Sequence, residues 1–111
     1  MIHIIRSRAS KEQMDEMLQP LRTFVKLAVD VRPGILAGGG VLHADCESAL
    51  LQARNQQEDI WGTDLNPLTQ QVAYESLINI RPHQNNRSVE VLDPALRARM
   101  VQIVQDMLGG V

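Results

Sequence analysis

The chain has 111 residues, 44% of them hydrophobic and 22% charged, a globular composition that supports a single domain over 1–111 with one sizeable core. The formal charge of −2 and the mere three aromatics, Phe24, Trp61 and Tyr74, supply neither a basic field for phosphate backbone nor a stacking platform for bases, so nucleic acid is a disfavoured partner. The lone Cys46 excludes an internal disulfide and a cysteine-based zinc site, and with no apolar run of membrane length and no export pattern the expectation is a cytoplasmic protein with no membrane partner.

In chain order, Ile2, Ile4 and Ile5 read as a short strand. Ser10-Lys11-Glu12-Gln13 is a capping box that opens a helix. Met14, Leu18, Leu21, Val25 and Ala28 follow at helical spacing and predict an apolar stripe, with Pro20 kinking it near Gln19. Arg32-Pro33-Gly34 ends the element, and Ile35 to Gly40, with its three glycines, reads as flexible backbone. Val41 to Leu51 alternates with a period of two, Leu42, Ala44, Cys46 and Leu50 on one side and His43, Asp45 and Glu47 on the other, which predicts a strand. A helix competes, because Leu42, Cys46, Ala49 and Leu50 also fit a 3.6-residue period. Asp59 to Leu65 alternates again, and a hairpin whose paired positions sum to 111 sets Leu50 against Trp61 and Cys46 against Leu65. Tyr74 to Arg81 is expected as a further strand stopped by Pro82, with Val89 to Val91 as an edge strand. Asp93-Pro94 starts a last helix with Leu96, Met100, Ile103, Val104 and Met107 as its buried stripe, ended by Gly109-Gly110.

Several spaced motifs, Leu42-His43-Ala44-Asp45, Gln57-Glu58-Asp59-Ile60-Trp61-Gly62, Ile78-Asn79-Ile80-Arg81-Pro82, Asn86-Arg87-Ser88 and Asp93-Pro94, together run along nearly the whole chain. In these the sequence resembles a family of short bacterial proteins described only as a domain of unknown function. The resemblance implies no mechanism. Two departures stand out: Asn85 occupies a position associated with glycine in that family, and Pro20 is not associated with its first helix. Asparagine tolerates left-handed backbone better than most residues, so the first departure is mild.

Two groups of polar residues are candidates for chemistry. His43, Asp45 and Glu47, on one face of the expected strand with Asp64 opposite, have the ligand types for a divalent cation; a solvated sheet face is the favoured explanation, because open antiparallel sheets normally carry one. Arg81 and Arg87 flank a loop containing Asn86 that has the donors to cradle a small anionic ligand. The alternative is a tight turn whose arginines pair with the segment 43–64, which holds five carboxylates against Arg54. Gly38-Gly39-Gly40 lacks the lysine of a phosphate loop. Cys46, on the apolar parity, reads as a buried inert thiol, and Trp61 as a core anchor.

These readings define an α+β domain, a mostly antiparallel sheet of about four strands with two amphipathic helices packed on one face. The other face stays open to water, a ligand or a second subunit. The leading functional expectation is a non-enzymatic binding or interaction module, self-associating as a homo-oligomer through that open face. A metal-dependent phosphoesterase using the polar face, with Arg81 or Arg87 on the phosphate, and an RNA-binding module are the alternatives.

Overall fold

The chain folds as three helices around a five-stranded antiparallel sheet. In the computed structural model, which describes all residues from Met1 to Val111, the elements in order are β1 (His3–Ile5), α1 (Lys11–Leu18), β2 (Val25–Asp30), β3 (Ile35–Gly40), α2 (His43–Gln52), β4 (Ile60–Leu65), β5 (Val72–Ala73) and α3 (Pro94–Leu108). The sheet order is β1-β3-β2-β4-β5.

Local chemistry sets the helix ends. Ser10 accepts from the Gln13 backbone and the Gln13 side chain accepts from Ser10 N–H, which completes the expected capping box. Asp93 accepts from Ala95 N–H with Pro94 in the first turn. The first helix stops at Leu18 rather than kinking: Gln19 keeps helical backbone and donates its N–H to the Glu16 carbonyl, but Pro20 has no N–H with which to continue the ladder. Val25 and Ala28, expected on the helical stripe, therefore lie in β2.

β2 and β3 form a hairpin, and both strands are central. Their residues are nearly all buried, since helices cover both faces of the sheet. The run Ile35 to Gly40, expected as flexible, is thus a core strand. Its glycines admit neighbours: Gly39 has φ +100 at the bulge where the β2–β3 register shifts, and a Cβ there would lie 2.2 Å from the Met1 carbonyl oxygen.

Each of the first two helices crosses over one intervening strand. β1–α1–β2 passes over β3, and β3–α2–β4 passes over β2. The two crossovers move the same way along the sheet but leave from antiparallel strands, so a common handedness requires their helices on opposite faces. The cores have that arrangement. Met14 and Met17 of α1 and Ile103, Val104 and Leu108 of α3 pack with Val25, Leu27, Val29, Leu36 and Leu65. Cys46 and Leu50 of α2 pack on Ala28, Ile35, Ala37 and Ile60 of the other face.

Four sequence expectations differ from the structure. Residues 43–52 are a helix, with His43, Cys46 and Leu50 buried at i, i+3 and i+7, while Leu42, Ala44 and Ser48 of the expected apolar parity are exposed. The hairpin summing to 111 does not form; Trp61 pairs instead with Val29, and Leu65 with Val25. With α2 on the second face, no sheet face is open, so the helices are not all on one side. The strand expected over Tyr74 to Arg81 is also absent: residues 77–79 form a 3-10 turn, and the segment makes two isolated bridges, Glu75–Glu90 and Arg81–Asn86. β4 itself appears where expected, and Trp61 is buried against Val91 and Met100.

Candidate functional site

The polar residues singled out by the sequence separate into a locked cluster and an open cleft. The lock lies along the β4 edge left free beyond β5. Asn79 is fully buried; its side-chain carbonyl accepts from Gly62 N–H at 2.8 Å, and its amide nitrogen donates to the Gly62 carbonyl at 3.0 Å and to Tyr74 and Val89 carbonyls at 3.1 and 3.2 Å. One carboxamide therefore does for Gly62 what a neighbouring strand would do. The approach requires glycine, since a Cβ on Gly62 would lie 2.6 Å from Cβ of Ser76.

Asn86 repeats the device. Its amide nitrogen donates to the Asn79, Ser88 and Glu90 carbonyls and its oxygen accepts from Leu92 N–H. Asn85 before it adopts φ 61, the left-handed conformation expected of it. Arg81, only 4% exposed, donates to the carbonyls of Ile78, Gln57 and Ile60 and to the Gln84 side chain. Its guanidinium lies 4.4 Å from the Trp61 ring centroid and 3.6 Å from Glu47 Oε2. Burial lowers the Arg81 pKa, and the Glu47 carboxylate opposes that shift. The two readings of Arg81 are thereby separated geometrically, because every edge of its guanidinium faces a protein group. Arg87 is exposed and makes no ion pair.

The four residues considered as metal ligands are dispersed by the helix. At i, i+2 and i+4 on a strand they would share a face, but on α2 they point in three directions. His43 is buried with Nε2 2.7 Å from Asp64 Oδ1 and 3.1 Å from the Thr63 carbonyl. Asp45 is exposed and accepts from Leu42 N–H at the start of α2. Glu47 faces Arg81. His43 and Asp64 alone are brought together, and no group of three or more His, Cys, Asp or Glu is placed to hold a metal ion.

The cleft opens above that pair. It encloses about 470 Å³ between the start of α2 and the segment 75–78, with Phe24, Leu42, Leu77, Ile78 and Val89 as apolar walls and Lys26, His43, Asp64, Glu75 and Ser76 as its polar lining. Lys26 and Asp64 are partners across the β2–β4 ladder and so share a face. Lys26 nevertheless has no ion-pair partner, since Asp64 is engaged by His43. Beneath it, Cys46 Sγ contacts the Lys26 carbonyl at 3.4 Å, and burial pushes the thiol pKa up to about 11, which makes Cys46 the inert thiol expected. Sequence reasoning missed Lys26, whose signal was a lone cation inside the apolar run Val25 to Val29, and it marked Asn79 only as part of the motif Ile78 to Pro82, without its role.

No helix is long and apolar enough to cross a membrane. Neither a curated protein nor a solved structure matches this chain. A family model described as "Protein of unknown function (DUF5674)" matches residues 3–107, nearly the full length and every motif that carried the resemblance, and the chain belongs to that family.

Proposed function

We propose that this protein is a small-ligand binding module whose ligand is an amphipathic anion. Its apolar body rests on Phe24, Leu42, Leu77, Ile78 and Val89, and its anionic head meets the Lys26 ammonium. The observation that carries this reading is the unpaired Lys26 in a cleft of about 470 Å³ whose lining joins six apolar residues to His43, Asp64, Glu75 and Ser76. A preformed concavity with apolar walls and few convergent polar groups is the usual form of a small-molecule site. The positive end of α2 at His43 and Ala44, which also line the cleft, adds to the preference for negative charge. Asp64 is engaged by His43, which leaves Glu75 as the lining carboxylate without an ion-pair partner.

The earlier candidates Arg81 and Asn86 take no part in this reading, because their donors are already engaged. For the same reason RNA recognition by that loop has no supporting observation beyond Arg87. A metal-dependent phosphoesterase would need a third ligand beside His43 and Asp64, and Asp45 and Glu47 are directed elsewhere.

The test is thermal unfolding with octanoate, octylamine and inorganic phosphate as probes. Saturating octanoate should raise Tm by on the order of 10 °C, octylamine should not, and Lys26→Met should lose the octanoate shift. If no probe shifts Tm, or if Lys26→Met responds to octanoate as the parent does, the reading is wrong.

A further inference from the structure

Exposed apolar side chains border the outer face of α2, which nothing in the monomer covers. Five of the nine large apolar side chains left exposed belong to two neighbouring segments: Val41, Leu42 and Leu51 on α2 and its approach, and Leu77 and Ile80 on the turn beside it. Leu42 and Leu77 line the same cleft, and Glu47 of α2 reaches Arg81 next to Ile80, so the two segments form one surface. On α2 the exposed positions between Leu42 and Leu51 are Ala44, Asp45 and Ser48, two of them small. Soluble proteins seldom leave such apolar area contiguous unless something docks there.

We propose that this surface pairs with a second copy of the same chain, the two α2 helices packing antiparallel about a two-fold axis at Ser48. The charge pattern identifies the occupant. Asp45 lies at the start of the face and Arg54 just past its end, both exposed and both without an ion-pair partner in the monomer. An antiparallel pair is the arrangement that sets the acidic end of one helix against the basic end of the other, and a two-fold axis makes both contacts at once. With Ser48 on the axis, Leu51 of the second copy stands opposite Asp45, and Arg54 of the second copy is offset from Asp45 by three residues. At the helical rise that offset is about 4.5 Å, within reach of an arginine side chain. Opposed helix dipoles act in the same sense. The small side chains at Ala44 and Ser48 permit close approach of the two backbones, and the flanking leucines fill the grooves on either side. This interface differs from the open sheet face expected from the sequence, which α2 itself occupies.

Sedimentation equilibrium of the full chain should give twice the 12.4 kDa chain mass, and Leu51→Glu or Leu77→Glu should return it to the monomer. Both positions are exposed, so neither change disturbs the core. Arg54→Glu should weaken association at least tenfold. Ser48→Cys should form a disulfide-linked dimer under mild oxidation, whereas Gln105→Cys on the exposed side of α3 should not; the native Cys46 is fully buried and gives no background. A parent chain that stays monomeric at every concentration overturns the proposal. So does a dimer that survives Leu51→Glu and fails to cross-link through Ser48→Cys, since it would then use another surface.

Discussion

The cluster around Asn79, Asn86 and Arg81 and the cleft above Lys26 flank the same strand, and both are rich in polar side chains. They differ in what remains unsatisfied. In the first, each amide and guanidinium group faces backbone carbonyls or N–H groups, so the side chains complete an edge of the sheet that no strand covers. In the second, a cation lies beside open space with no partner. Hydrogen-bonding capacity that is spent on the chain's own backbone specifies structure, and capacity left over beside a cavity is what a ligand can use.

Breaking the lock should therefore cost stability heavily. Asn79→Ala would strand the Gly62 N–H and carbonyl in a buried edge, and each unsatisfied group costs about 1 to 3 kcal/mol. A loss of about 3 to 5 kcal/mol in urea denaturation is expected; a loss under about 1 kcal/mol would mean that water or a shifted segment replaces the amide. Arg81→Met tests the same cluster from its charged member. It removes the partner of the largely buried Glu47, whose Oε2 already has no hydrogen bond. About 3 kcal/mol should be lost, because an ion left without its partner in the interior keeps its desolvation cost.

A third measurement concerns the underside of the cleft. Cys46 is desolvated, with its pKa raised from 9.0 to about 11. Below pH 9 the thiol is protonated in both folded and unfolded chains, and its contribution to stability is complete. As pH rises from 9 to 11 the unfolded chain releases the proton first, so stability falls across that window, by roughly 2 to 3 kcal/mol in all. Urea midpoints between pH 8 and pH 10.5 should drop more for the parent than for Cys46→Ala. Equal drops would show that the cleft floor is wet.

What the sequence made legible follows from how local each signal is. Ser10 with Gln13, and Asp93 with Pro94, act over one turn, and both helix starts stand where the residues placed them. β4 was readable because Trp61, Thr63 and Leu65 alternate against a bounded run. β2 and β3 were not, since strands covered on both faces lose alternation, and three consecutive glycines resemble a loop until the helix that packs on them is known. The segment 43–52 satisfied both periods, and the decision between them is made by tertiary packing on the small side chains of Ala28 and Ala37. The roles of Asn79 and Lys26 could not be read from pattern, because one side chain substitutes for a strand and the other matters only for what it lacks.

The smallest expected effect is the sharpest contrast. Arg81 and Arg87 are six residues apart, and in the sequence they were equivalent arms of one anion cradle. Arg81 is buried beneath Trp61 and Glu47, whereas Arg87 is exposed and touches no carboxylate. Arg87→Ala should accordingly change stability by no more than about 0.5 kcal/mol, as surface substitutions away from such features do. Because both changes remove one positive charge, a difference between Arg87→Ala and Arg81→Met cannot come from net charge and must come from burial and bonding. Comparable losses in the two variants would place Arg87 in a contact as extensive as that of Arg81, and the division between a locked cluster and an open cleft would have to be redrawn around the loop.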